Sequence, residues 1–197
     1  MLRTCKNHKK QPKKMFIAQK KLQENIAEYI LYMYQIEDVI RSFDFDLDTI
    51  MSAYVAPQLP DESFHAQYRQ WYGDLIQQMK NQKLEKKGHL YLIQEVMIEL
   101  SYLHNTLLNM ANDEKYKTLY NTAIEHIESF REKSNLKDKN HIEIMFHALY
   151  MKLLLKLQKK EISAETEESL DAMRICVAYL SRAFHQMKRG ELNFFNN

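Results

Sequence analysis

The segment NIAEYILYMYQIEDVIR, residues 25–41, decides the fold class of this chain. Its apolar residues, together with one that precedes it, follow 4,3,4,3,4 spacing: Leu22, Ile26, Tyr29, Met33, Ile36 and Ile40. A helix with 3.6 residues per turn places residues at this spacing on one face. Further apolar residues, Ile30, Leu31 and Tyr34, lie beside that face. The pattern predicts a long helix over 18–41 that contacts neighbours on more than one side, either at the centre of the fold or in a dimer interface.

Similar periodicity runs along the rest of the chain. It predicts further helices at about 47–56, 61–82, 89–110, 113–132, 140–160 and 163–188. The helix at 140–160 is apolar on two stripes, so it is predicted to be the most buried one. Three Gly and three Pro in 197 residues exclude turn-rich β folds. Short loops and the absence of internal repeats favour a compact all-α bundle of six or seven mostly antiparallel helices.

Charge divides the chain into a basic end and a mildly acidic body. Residues 1–14 contain six Lys or Arg and no acid, so they carry +6 of a net charge of +2, and the body carries −4. We interpret 1–14 as a basic disordered tail, upstream of a true start at Met15. The alternative is an arm that seeks phosphates or membranes. A single helical domain is predicted over 15–190, followed by a C-terminal tail over 191–197 that contains Phe194 and Phe195.

The cysteines and the hydropathy pattern predict a cytoplasmic location. Cys5 and Cys176 lie 171 residues apart, which makes a structural disulfide improbable and fits a reducing compartment. The basic start is followed by only four apolar residues, MFIA, before QKK interrupts them, too few for a secretory signal. No stretch of about 18 apolar residues occurs, so membrane insertion is not expected.

The familiar metal and nucleotide motifs are missing. Di-iron bundles use two Glu-x-x-His pairs, and this chain has one, Glu62 and His65. Neither cysteine has a His or Cys at zinc-ligand spacing, and no two glycines are adjacent for a phosphate loop. We therefore predict no cofactor and no metal. Nucleic-acid binding is not expected apart from the basic tail 1–14, because the body is acidic.

Two acids interrupt the apolar face of the first predicted helix. Glu37 and Asp38 lie where neighbouring helices are expected to pack. A buried acid needs partners, since an unpaired one costs several kcal/mol. Arg41, Arg174 or backbone amides could supply them. Three interpretations of Glu37 and Asp38 are open: they form a structural ion pair or hydrogen-bond network, they are simply exposed to solvent, or they belong to a ligand site.

Glu143 and His147 form a second candidate pair, because residues four apart share a helix face. A carboxylate within reach of an imidazole can hold its tautomer for acid–base chemistry. The alternative is a solvated or subunit-facing edge of the helix. The same two interpretations, with a polar outer face as the alternative, apply to a group on the fourth predicted helix: Glu95, Glu99, Tyr102 and His104.

Four stretches carry a resemblance to a known family: MFIAQKK (15–21), NIAEYILYMYQIEDVIR (25–41), KGHL (87–90) and IEIMFHALYMKLLLKLQKKEISAET (142–166). Over about residues 15–188, the chain resembles an uncharacterised bacterial family known only as a domain of unknown function. The resemblance implies an all-helical domain whose members begin at the equivalent of Met15. It implies no activity, ligand or catalytic residue.

Two functional hypotheses follow. The leading one is a non-enzymatic cytoplasmic protein that acts through association, as a homodimer or an adaptor, using the tyrosine-rich face of the first helix or the Phe194/Phe195 end. The alternative is a ligand-binding or enzymatic bundle in which Glu37, Asp38, Glu143 and His147 converge in a pocket between helices. No catalytic residue is assigned.

Overall fold

The computed structural model describes residues 17–59 and 61–192, and within these ranges the protein is all-α with no β-strand. Its α-helices are α1 (Ile17–Glu24), α2 (Ile26–Ser42), α3 (Leu47–Thr49), α4 (His65–Asn81), α5 (Tyr91–Asn105), α6 (Glu114–Lys133), α7 (His141–Leu157) and α8 (Ala164–Lys188). A π-helical segment, Ile50–Val55, follows α3, and a second, Thr106–Met110, follows α5. The basic tail 1–14 and the Phe194/Phe195 end lie outside the described residues.

The first predicted helix is in fact two helices, because the helical conformation is interrupted at Asn25. This residue adopts an extended conformation, with φ −155° and ψ 100°. Its Oδ1 accepts hydrogen bonds from the backbone amides of Ala27 (3.1 Å) and Glu28 (3.2 Å). Asparagine is among the strongest N-cap residues, since its side chain replaces a partner that the first turn lacks. The prediction of one continuous helix over 18–41 is therefore wrong at this position.

Other helix boundaries follow their local capping residues. Asp113 caps α6 by accepting from the amide of Tyr116 (2.9 Å), and Ser163 caps α8 by accepting from Thr166 (3.3 Å). Gly190 follows the C-terminus of α8 with φ 70°, a conformation that glycine adopts without strain. These predicted boundaries are confirmed. The sequence could predict them because each depends on contacts within four residues.

The helix α2 lies at the centre of one hydrophobic core. It contacts α1, α7 and α8, and α8 also contacts α5 and α6. Nine of the 17 residues of α2 are buried, against seven of 17 in α7. The last two turns of α7, from Met151 to Leu157, contain no buried residue. The prediction that 140–160 forms the most buried helix is therefore wrong, and α2 holds that place among these two.

Hydropathy gives a separate finding. No helix in the described part of the chain combines the length and the apolar character that crossing a membrane requires.

Candidate functional site

A cavity of about 400 Å³ lies between α5 and α7. Its walls come from α2, from the loop before α5, from α5, from the loop before α7 and from α7: Tyr34, Gly88, His89, Ile93, Gln94, Met97, Ile98, Leu136, Lys139, Asn140, Glu143 and His147. We call it the α5–α7 cavity. Its volume lies in the range of small-molecule sites, which are mostly apolar with a few placed polar groups.

The main polar feature of the cavity is His89, which is held by a fully buried carboxylate. Nδ1 of His89 lies 2.6 Å from Oε2 of Glu37, and Oε1 of Glu37 accepts from the backbone amide of Leu90 at 2.8 Å. Glu37 is 0% exposed, whereas the His89 side chain is 38% exposed. The carboxylate has a partner on each oxygen, which a buried charge requires. One side of the imidazole is thereby anchored in the core while the ring lines the cavity.

The ring and the loop that carries it are held from several sides. Tyr34 stacks on His89 with 3.8 Å between ring centroids and 16° between planes. Nε2 of Gln94 donates to the backbone carbonyl of His89 at 2.6 Å. The Arg41 guanidinium donates to two carbonyls of the same loop, that of Leu84 at 3.0 Å and that of Gly88. The helix α2 thus positions the loop through Arg41 and Glu37.

His147 also lines the cavity and is neutral at neutral pH. Burial lowers its pKa below the usual range of histidine, and repulsion from His89 in its protonated form would lower it further. Within the described residues, His147 has no hydrogen-bond partner, and its ring lies against Phe130 with centroids 6.2 Å apart. Both ring nitrogens are available to a ligand.

Glu143 lines the cavity but has a structural task. Its carboxylate accepts from the backbone amide of Asn140 (3.1 Å), while the Asn140 side chain accepts from the amide of Glu143 (3.0 Å). This is a capping box, which satisfies two amides at the start of α7. Glu143 also forms an ion pair with Lys139 at 2.7 Å. The carboxylate–imidazole contact considered for Glu143 and His147 is absent, and the imidazole in this cavity that contacts a carboxylate is His89, through Glu37.

Asp38 lies outside the cavity lining. Its carboxylate accepts from the hydroxyl of Tyr150 on α7 (2.6 Å) and from Arg41 (2.8 Å), and its side chain is half exposed. The adjacent acids of α2 therefore differ. Glu37 supports the imidazole in the cavity, and Asp38 ties α2 to α7.

Sequence reasoning missed His89 entirely. The backbone amide among the suggested partners of Glu37 is present as Leu90, but Arg41 pairs with Asp38 and Arg174 with Asp171. The helix predicted at about 89–110 begins at His89, whereas α5 begins at Tyr91, so His89 lies in the loop directly after Gly88. A histidine in a loop close to a glycine was the only local signal, and it does not indicate a partner 52 residues away.

A second buried polar cluster lies between α5, α6 and α8. Nδ1 of His104 lies 2.7 Å from the hydroxyl of Tyr116, and both side chains are buried. Burial lowers the pKa of His104 to about 4, with a smaller contribution from His141. Burial also raises the pKa of the Cys176 thiol to about 11, so this cysteine is a poor nucleophile. The outer-face interpretation of this α5 group is wrong for His104, which points into the core.

The described residues contain no cluster of three or more His, Cys, Asp or Glu side chains that could hold a metal ion. The one Glu-x-x-His pair, Glu62 and His65, is exposed at the turn that precedes α4 and at its first residue.

The tyrosine-rich face of the first predicted helix is buried in the chain's own core. Tyr29, Met33 and Tyr34 are each at most 5% exposed. Exposed apolar side chains lie instead on α5, where Tyr91, Ile98 and Tyr102 are 60%, 69% and 68% exposed. At 100° per residue, these three lie within about 40° of one another around the helix.

Comparison with known proteins supplies the family. A family model described as Domain of unknown function (DUF4924) matches residues 15–191, and the chain belongs to this family. No curated protein and no solved structure matches the chain.

Proposed function

We propose that this member of the DUF4924 family binds a small, uncharged, partly apolar molecule in the α5–α7 cavity, with His89 as its main polar contact. The observation that carries the proposal is the buried Glu37 carboxylate, 2.6 Å from Nδ1 of a partly exposed imidazole that lines a cavity. Burying a carboxylate without compensation is costly. A fold that keeps one in its centre to orient an accessible ring supports a ligand-binding role for that ring.

The charges around the cavity support an uncharged ligand. Lys139 forms an ion pair with Glu143, and the Glu143 carboxylate also caps α7. Among the described residues, the cavity lining therefore offers no unpaired lysine or arginine for a phosphate group. Apolar side chains of the lining that are at least partly exposed, Ile98 of α5 and Leu136, supply contact area for the body of the ligand.

Binding can be measured by NMR titration of the histidine side chains with a panel of small uncharged alcohols, amides and esters. A matched panel of phosphate monoesters serves as the negative set. We expect saturable shifts of the His89 and His147 ring protons with members of the uncharged panel only. The substitution Gln94→Trp places a large ring in the cavity and removes the Gln94 bond to the His89 carbonyl, so it is expected to abolish these shifts.

Gln77→Trp is the matched control, since Gln77 is exposed on α4 and does not line the cavity. This variant is expected to bind as the wild type does. Binding that survives Gln94→Trp, or no saturable shift from any uncharged compound, would contradict the proposal.

Self-association is a second candidate, and the exposed apolar residues of α5 favour it. Tyr91, Ile98 and Tyr102 share one face of α5. Together with Glu95 they follow the 4,3,4 spacing that is typical of a helix packed against another helix. A second copy of the chain could cover this face. Because the face of α2 is buried, association through the first predicted helix would require unfolding it from the core.

Light scattering after size exclusion, over a concentration series, tests this candidate. A homodimer that Tyr102→Lys dissociates and Leu157→Lys leaves intact would support it, because Leu157 is similarly exposed on α7. A monomer at all concentrations would exclude it. For either function we also propose a cytoplasmic location, which the free, buried thiol of Cys176 supports.

A further inference from the structure

The protonation pattern of His89 follows from its partners. Glu37 is buried, and its other oxygen accepts from the Leu90 amide, so the carboxylate acts as an acceptor on both sides. A carboxylate cannot donate, so the proton of the neutral imidazole lies on Nδ1. The lone pair is then on Nε2, which has no hydrogen-bond partner within residues 17–59 and 61–192. The ring presents a base, not a donor, to its surroundings.

The direction of this lone pair is fixed before any ligand arrives. Stacking on Tyr34 sets the plane of the ring, and the bond to Glu37 sets its rotation in that plane. The loop backbone is held by Gln94 and Arg41. A group positioned in this way loses little conformational freedom when it reacts. Carboxylate-held imidazoles with a free Nε2 are well suited to general-base catalysis.

We infer that His89 is a general base for the hydrolysis of a small uncharged ester bound in the α5–α7 cavity. This inference depends on the proposed binding function. In the first step, Nε2 of His89 takes a proton from water while the water oxygen bonds to the acyl carbon and the carbonyl π electrons move to the carbonyl oxygen. In the second, the carbonyl double bond re-forms, the acyl–oxygen bond to the alcohol breaks, and the departing alkoxide takes the proton from Nε2. Ester and water give acid and alcohol, and the imidazole returns to its starting form.

The other residues of the cavity favour water as the nucleophile. Of residues 17–59 and 61–192, no Ser, Thr or Cys lines the cavity, and Lys139 is held by Glu143. Burial raises the pKa of Tyr34, and the charges of Glu37 and Glu143 raise it further, so its phenol stays protonated. Neutral His147 has a ring N–H that can donate to the carbonyl oxygen as negative charge develops on it. Glu37 is a positioning residue, because it acts on the substrate only through His89.

Hydrolysis of 4-nitrophenyl butyrate by the full chain tests the inference. We expect turnover that His89→Gln lowers by at least about 100-fold, the low end of general-base contributions. His65→Gln, which alters an exposed histidine away from the cavity, is expected to have no effect. Glu37→Gln is expected to lower kcat while leaving KM nearly unchanged, a split that a purely structural role would not produce.

A second compound separates failure of the chemistry from failure of binding. The ether 4-nitrophenyl butyl ether has nearly the same shape and cannot be hydrolysed by this route. If the ether shifts the His89 ring protons but butyrate hydrolysis equals that of His89→Gln, the general base is refuted and ligand binding stands. If the wild type hydrolyses the ester no faster than His89→Gln, and neither the ether nor any compound of the uncharged panel shifts the ring protons, both conclusions are refuted.

Discussion

Replacing Glu37 with alanine is the most informative single perturbation of this protein. It removes a fully buried carboxylate that accepts from His89 at 2.6 Å and from the Leu90 amide at 2.8 Å. Hydrogen bonds to charged groups contribute about 1.5–3 kcal/mol each, and a buried amide left without a partner costs about 1–3 kcal/mol. Part of this sum is offset because the variant no longer buries a charged carboxylate, which is itself costly. His89 is partly exposed, so water can replace the hydrogen bond that it loses.

The net loss in the free energy of unfolding is therefore expected to be about 3 kcal/mol. For a chain of this size, that lowers Tm by roughly 6–12 °C. Urea-induced unfolding followed by circular dichroism at neutral pH measures it directly. Glu37→Gln keeps an acceptor for the Leu90 amide, so its loss is expected to be about 1 kcal/mol.

Asp38→Ala is the matched control on the same helix. Its carboxylate is half exposed, so loss of the bonds to Tyr150 and Arg41 is expected to cost about 1 kcal/mol. If Glu37→Ala costs no more than Asp38→Ala, the buried carboxylate does not hold the loop to α2. The reasoning about the orientation of His89 would then be refuted as well.

Three further predictions concern other parts of the fold. The pKa of His104 is lowered to about 4 in the folded protein, so between pH 4 and about pH 6.5 the unfolded chain binds more protons than the folded one. The contribution of His104 to the free energy of unfolding is therefore fully present above this range, and up to about 3 kcal/mol is lost as the pH falls through it. Comparing urea unfolding at pH 7.5 and pH 4.5 should show a smaller pH dependence in His104→Asn, and an unchanged one would contradict the assignment. Nε2 of His185 accepts from the amide of Ile26 at 3.0 Å, and burial and then nearby Arg189 lower the pKa of His185; His185→Leu is therefore expected to speed hydrogen exchange of the Ile26 amide, and equal exchange would oppose this role. Gly73→Ala should raise the free energy of unfolding by about 0.5–1 kcal/mol, because the added carbon would meet a Leu47 methyl at an ordinary 3.6 Å, and a loss measured by urea unfolding would show that the site is tighter than this distance implies.

Much of the fold was predictable from short-range pattern. Apolar spacing locates the helices, and residues such as Asp113 and Ser163 cap them through bonds to amides three residues on. The error at Asn25 arose because the apolar period continues across a strong N-cap. Periodicity describes which side chains share a face, and it does not detect a local change of backbone direction.

The candidate site was only half predictable. Glu37 was a candidate because an acid in an apolar run needs a partner. Glu143 and His147 were candidates because they share a helix face. Which imidazole met which carboxylate depended on residues 52 positions apart. Glu143 instead forms a capping box with Asn140, three residues before it. This contact is local to the first turn of α7.

The sequence by itself determined that this chain is helical, where most helices begin and end, and that two acids interrupt the apolar face of its first predicted helix. These properties follow from periodicity and capping, which act within a few residues. Tertiary structure alone decided that Glu37 meets His89, that Asp38 meets Tyr150, and that a cavity opens between α5 and α7. Such contacts depend on the distances between packed helices, and those distances are set by how all the side chains of the core fill space together.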